Sequence, residues 1–197
     1  MARSEAIADR PHPRGPSRLD LYWIPLGAGA SVVRVSGKTF EALAAVTQRR
    51  RRRDLFHSAL VADTGDARFF MEMAPIPDDS GPQQRGVVAE GPVGTPWARR
   101  FRVFRYEIRR WRDGEIPDIR YAVASPVRIA DDAVVVERVL DLLPMVPTPV
   151  WGRDELHTGE MWNSNSVISW VLTQAGVLAE AGRPPGKGRA PGWDAGV

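Results

Sequence analysis

Apolar and polar side chains alternate through Leu19-Asp20-Leu21-Tyr22-Trp23-Ile24, the period of a strand with one buried face, and Pro25 closes the run. A second short extended piece is expected at residues 32–35. From Ser36 or Gly37 the spacing changes: Phe40, Leu43, Ala44 and Val46 recur at helical intervals, which predicts a helix to about residue 50. Residues 55–62 and 68–74 read as two strands around Asp63-Thr64-Gly65-Asp66, a hairpin signal. Further strands are expected at residues 85–90, 101–111 and 121–124. One helix is predicted from Asp131 or Asp132 through Leu143, stopped by Pro144, and another from Asn163 to Ala175, stopped by Gly176. The sum is an α+β protein in which an antiparallel sheet packs against a C-terminal helix. Residues 19–180 form one domain in this reading. Residues 1–18 are expected to be disordered and residues 181–197 to be a flexible tail, both being rich in proline and glycine. Trp193 is the exception, an aromatic residue able to dock back onto the domain.

Composition narrows the chemistry. The 197 residues are 43% hydrophobic, enough for a core, but no apolar run reaches the ~20 residues of a membrane span. The first 18 residues carry no apolar stretch of signal-peptide type, so a cytoplasmic protein is expected. With no cysteine, any nucleophile is an oxygen or a nitrogen, and thiolate metal sites are excluded. The net charge of +3 is modest, although arginines cluster at Arg49 to Arg53 and again at Arg99, Arg100, Arg102, Arg105, Arg109, Arg110 and Arg112. Alternation along a strand splits the second cluster between two faces, which argues against one basic stripe and makes nucleic acid an unfavoured partner. Gly27-Ala28-Gly29 lacks the third glycine of a dinucleotide-binding turn, and His157 has only Glu160 nearby as a second ligand. No cofactor and no metal are expected.

Two segments carry candidate chemistry. A hairpin centred between Thr64 and Gly65 sets His57 directly opposite Glu72, and a carboxylate beside an imidazole orients it and raises its basicity. Asn163 is a good N-cap, which puts Ser164 in the first turn of the last helix, where backbone N–H groups favour developing negative charge. Ser164 also lies in line with Ile168, Val171 and Ala175, the stripe expected to face the sheet. Asn163, Asn165 and His157 are candidate binding residues around it.

These strings, Leu55-Phe56-His57-Ser58-Ala59-Leu60, Phe70-Met71-Glu72-Met73 and Asn163-Ser164-Asn165-Ser166, resemble circularly permuted papain-like proteins. The similar groups are the lecithin:retinol acyltransferase-like and PPPDE proteins, relatives of the NlpC-type cell-wall hydrolases. The resemblance implies that His57 is the base, Glu72 the orienting residue, and that Ser164 stands where the family has its nucleophilic cysteine. Three readings follow. The chain is a hydrolase or acyltransferase acting on an amide, ester or thioester of a small molecule or peptide through Ser164, His57 and Glu72. Alternatively it is an inactive cleft of the same fold that binds a peptide or acyl ligand, or it binds anions or nucleic acid through its arginine-rich segments.

Overall fold

The computed structural model describes residues 15–26, 54–76, 86–116 and 118–197. The helix expected before residue 50 and the run Arg49 to Arg53 lie outside these residues. Among these residues, six antiparallel strands form one sheet: β1 (Arg18–Pro25), β2 (Phe56–Asp63), β3 (Arg68–Pro75), β4 (Val87–Pro92), β5 (Arg105–Arg112) and β6 (Val127–Ala130), in the order β4-β5-β3-β2-β1-β6. Two helices follow, α1 (Ala133–Leu142) and α2 (Ser164–Ala175). The α+β class and the antiparallel sheet against a C-terminal helix therefore agree with the sequence pattern.

The two sheet faces differ in chemistry because each strand alternates. Leu21, Trp23, Leu60, Met71, Met73, Tyr106 and Ile108 share one face, and the helices cover it with Val136, Val139, Val167, Ile168, Val171 and Leu172 to make the main core. The reverse face carries a small apolar cluster of Ile24, Ala59 and Ile116, bordered by Tyr22, Phe70, Ile119 and Ala122. Asp132 caps α1 by accepting from the Val134 N–H at 2.7 Å. Asn163 caps α2, taking the Asn165 N–H at 2.8 Å while the Ser166 hydroxyl takes the Asn163 N–H at 3.0 Å.

Three expectations need correction. The hairpin loop is centred between Gly65 and Asp66, because Thr64 pairs with Ala67 and Gly65, at a φ of 81°, makes the turn; Leu60 thus stands opposite Met71. Glu72 is consequently displaced by two residues from its expected place opposite His57. Residues 121–124 are no strand: a 3-10 turn covers Ile119–Tyr121, and the strand is β6, whose Val127 and Arg128 pair with Leu21 and Asp20. Lastly, residues 181–197 are not a loose tail. Arg189 forms a parallel bridge with Leu55, the Phe56 N–H donates to its carbonyl at 2.8 Å, and Trp193 packs its ring 5.0 Å from that of Trp23.

The seat of this segment is tight enough to test. A Cβ on Gly196 would come within 2.1 Å of the Ser166 carbonyl oxygen, which is helix backbone and has no way to retreat. Gly196→Ala is expected to lower stability by about 2 kcal/mol, seen as a drop in the thermal midpoint, with faster proteolysis confined to residues 182–197. An unchanged midpoint would mean that the segment is not held.

Candidate functional site

The start of α2 is a polar cluster inside an apolar surround. Asn165 is buried, as are Ser166 and Ser169. The Asn165 side-chain carbonyl accepts from the Ser58 hydroxyl at 2.8 Å, and its amide donates to the carbonyls of Phe56 at 3.0 Å and Pro191 at 2.9 Å. Asn163 donates to the same Pro191 carbonyl at 2.9 Å. One turn on, the Ser166 hydroxyl donates to the Gly192 carbonyl at 2.6 Å and the Ser169 hydroxyl to the Trp193 carbonyl at 2.6 Å. Glu160 completes the ring, holding the Gly192 N–H at 2.6 Å and the Arg189 guanidinium at 2.8 Å. Four side chains of α2 and its cap thus bind three successive carbonyls, Pro191 to Trp193, of a turn closed by the Trp193 N–H on the Ala190 carbonyl at 3.2 Å.

Ser164 takes no part in this. It is half-buried, and among the described residues its hydroxyl has no hydrogen-bond partner. The contact between Ser58 and Asn165 puts α2 on the Ser58 side of β2, so His57, the preceding residue, points to the reverse side. There it stands opposite Ile24, next to the Ile24–Ala59–Ile116 cluster. The sheet therefore separates His57 from Ser164, and the expected Ser164–His57–Glu72 relay is not assembled. Because α2 is buried nearly all round, the stripe through Ser164, Ile168 and Val171 is not its one inward face, and Asn165 rather than Ser164 reaches the strand.

His57 and Glu72 do share the reverse face, yet Glu72 is engaged elsewhere. Its carboxylate meets Arg109 at 3.3 Å; Arg109 also binds Glu107 at 3.0 Å and the Pro75 carbonyl at 3.1 Å. Glu107 and Arg109 are buried, and Arg109 lies 5.2 Å from the centre of the Trp111 ring. Burial pushes the Glu72 carboxyl up, with Arg109 opposing and Asp118 adding to the rise. Burial pushes the His57 imidazole down to about 4, partly countered by the negative charge of Asp118. Asp118, in the turn after β5, is thus the carboxylate that acts on both, and the sequence reading missed it. A strand that puts an Arg between an isoleucine and another arginine was the available signal for a buried ion cluster at Glu107 and Arg109.

The remaining candidates fall apart spatially or chemically. His157 is exposed at a φ of 57° in a turn closed by Asp154, which accepts from the N–H groups of Thr158 and Gly159. The β5 arginines serve internal contacts: Arg105 pairs with Glu90, and Arg110 donates to the Leu140 carbonyl at 2.8 Å. Among the described residues, no group of three or more His, Asp or Glu side chains could hold a metal ion. A groove of about 600 Å³ between the β2–β3 turn and α1, lined by Thr64, Phe69, Arg112, Val136 and Leu140, includes none of the expected site residues. Comparisons with family models, curated proteins and solved structures give no match.

The roles separate in stability measurements. Asn165→Ala leaves the Phe56 carbonyl and the Ser58 hydroxyl without their buried partner and is expected to cost about 2–4 kcal/mol in denaturant unfolding. Ser164→Ala should stay within about 0.5 kcal/mol. A pH dependence is expected from His57. Its imidazole titrates near 4 in the fold against 6.5 when free, so the unfolded chain binds more protons between these values. Its contribution is therefore complete above pH 6.5 and is lost as the pH falls toward 4, on the order of 2 kcal/mol after allowing for partial exposure. Unfolding curves of the parent and of His57→Gln should converge across that window, and parallel curves would show that His57 titrates normally.

Proposed function

We propose that this chain is a non-catalytic binding protein on a permuted papain-like plan, with a peptide as its ligand. One observation carries the reading: the polar start of α2 grips three successive backbone carbonyls of the turn at Pro191 to Trp193, while the imidazole that would activate Ser164 lies across the sheet. A serine hydroxyl is a weak nucleophile without an adjacent base, so acyl transfer at Ser164 has no driving partner in this arrangement. The Asn163 side chain also takes the Asn165 N–H, which removes one of the donors an oxyanion at the helix start would use.

Peptide recognition, by contrast, has each of its parts. Side-chain amides and hydroxyls read main-chain carbonyls whatever the side chains are, and the Trp23 ring offers a surface for one aromatic residue. The segment Arg189-Ala190-Pro191-Gly192-Trp193 is the ligand held here, and its small residues beside a tryptophan describe the class of peptide that fits.

Two measurements test the proposal. A broad fluorophosphonate probe should leave the chain unlabelled, and labelling that disappears in Ser164→Ala would overturn the reading in favour of an enzyme. Trp193→Ala, which loosens the resident segment, should let a fluorescent peptide of sequence Arg-Ala-Pro-Gly-Trp bind to the full chain with an affinity at least ~10-fold above that of the parent. Equal, negligible binding to both chains would count against exchange with an outside peptide.

A further inference from the structure

Between β4 and β5 the chain makes two short 3-10 turns, Pro96–Arg100 and Arg102–Phe104, before entering the sheet. Ten large hydrophobic side chains are exposed among the described residues, and four of them fall within eight positions here: Trp97 at 65%, Phe101 at 46%, Val103 at 77% and Phe104 at 45%. Arg99, Arg100 and Arg102 are exposed among them, and no acidic residue occurs from Gly91 to Tyr106. The Arg100 guanidinium lies 5.3 Å from the Trp97 ring centre and 4.8 Å from that of Phe101. Neither Arg99 nor Arg100 pairs with a carboxylate among the described residues. The lobe is nevertheless anchored: the Val93 N–H donates to the Phe104 carbonyl at 2.8 Å, and Arg105 binds Glu90 at 3.1 Å.

We propose that this lobe docks the protein onto an anionic lipid bilayer, with Trp97, Phe101 and Val103 entering the headgroup boundary and Arg99 and Arg100 meeting the lipid phosphates and carboxylates. The combination selects the partner. An anionic bilayer presents negative charge and an apolar interior within a few ångströms of each other, which is what interleaved arginines and tryptophan-phenylalanine-valine side chains match. A second copy of the chain would bring arginines against arginines in a two-fold contact, which opposes self-association through this face. Nucleic acid would satisfy the arginines and stack on the rings, but it leaves the most exposed residue, the aliphatic Val103, in water. The attachment is peripheral, since no helix among the described residues is long and apolar enough to cross a membrane.

Flotation of the full chain with vesicles tests this directly. Binding is expected to vesicles of phosphatidylcholine mixed with phosphatidylserine and not to phosphatidylcholine alone. Arg99→Gln with Arg100→Gln should weaken it about thirtyfold, as expected for two surface charges. Trp97→Ser with Val103→Ser should weaken it at least about tenfold while leaving the thermal midpoint unchanged, because both side chains are in water before docking. The absence of binding to the mixed vesicles at low salt overturns the proposal. So does undiminished binding of the serine double variant, which would reduce the effect to general charge attraction. Tight binding of single-stranded RNA that both double variants abolish, with vesicle binding intact, would reassign the lobe to nucleic acid.

Discussion

The Asn165 side chain is the point on which the arrangement turns. A primary amide offers two N–H donors and a carbonyl, and in the buried setting of Asn165 each is used: Phe56 and Pro191 accept, Ser58 donates. Leaving any one of these groups unpaired in the core costs about 1–3 kcal/mol, so the three partners fix each other's positions. β2, the start of α2 and the segment around Pro191 are locked together as a consequence. The same bond decides the chemistry. Once Ser58 points at α2, the pleat requires His57 to point away, and no rotamer carries its ring through the sheet.

The reverse face then acquires its own character. Two carboxylates, Glu72 and Glu107, converge on the single guanidinium of Arg109, with Asp118 near enough to act on Glu72 and His57. Desolvation of such a group is costly, and the Arg109 fork offsets it only by also reaching the Pro75 carbonyl and the Trp111 ring. A neutral imidazole is the form of His57 that suits this surrounding. Its depressed basicity therefore has a structural origin in burial and does not mark it as a general base poised for use at neutral pH.

Much of this architecture was legible in the chain. Alternation in residues 19–25 and the hairpin signal near Gly65 located β1 to β3, while Asp132, Asn163 and Gly176 marked helix ends that the structure reproduces closely. What escaped was whatever depends on register or on distant partners. A hairpin loop centred one position later moves each cross-strand pair by two residues, and local sequence did not choose between the two centres. The segment after residue 181 reads as a breaker-rich tail because its order comes from bonds to Asn163, Asn165, Ser166 and Ser169, all more than twenty residues away along the chain. Its glycines and prolines suit close approach to a helix as well as they suit disorder.

The Asn-Ser-Asn-Ser string shows why a motif needs its geometry. At a helix start, N–H groups can stabilise an oxyanion, but the residues that make good caps compete for the same donors. Here Asn163 takes the Asn165 N–H, and the Ser166 hydroxyl closes the capping box from the other side. The hydroxyls of Ser166 and Ser169 and the amides of Asn163 and Asn165 then turn outward as donors to carbonyls. A thiolate at position 164 would need those helix N–H groups free and a base on the same face. With a serine there, the cap occupied and the imidazole beyond the sheet, the hydroxyl of Ser164 has no imidazole base on its own face among the described residues.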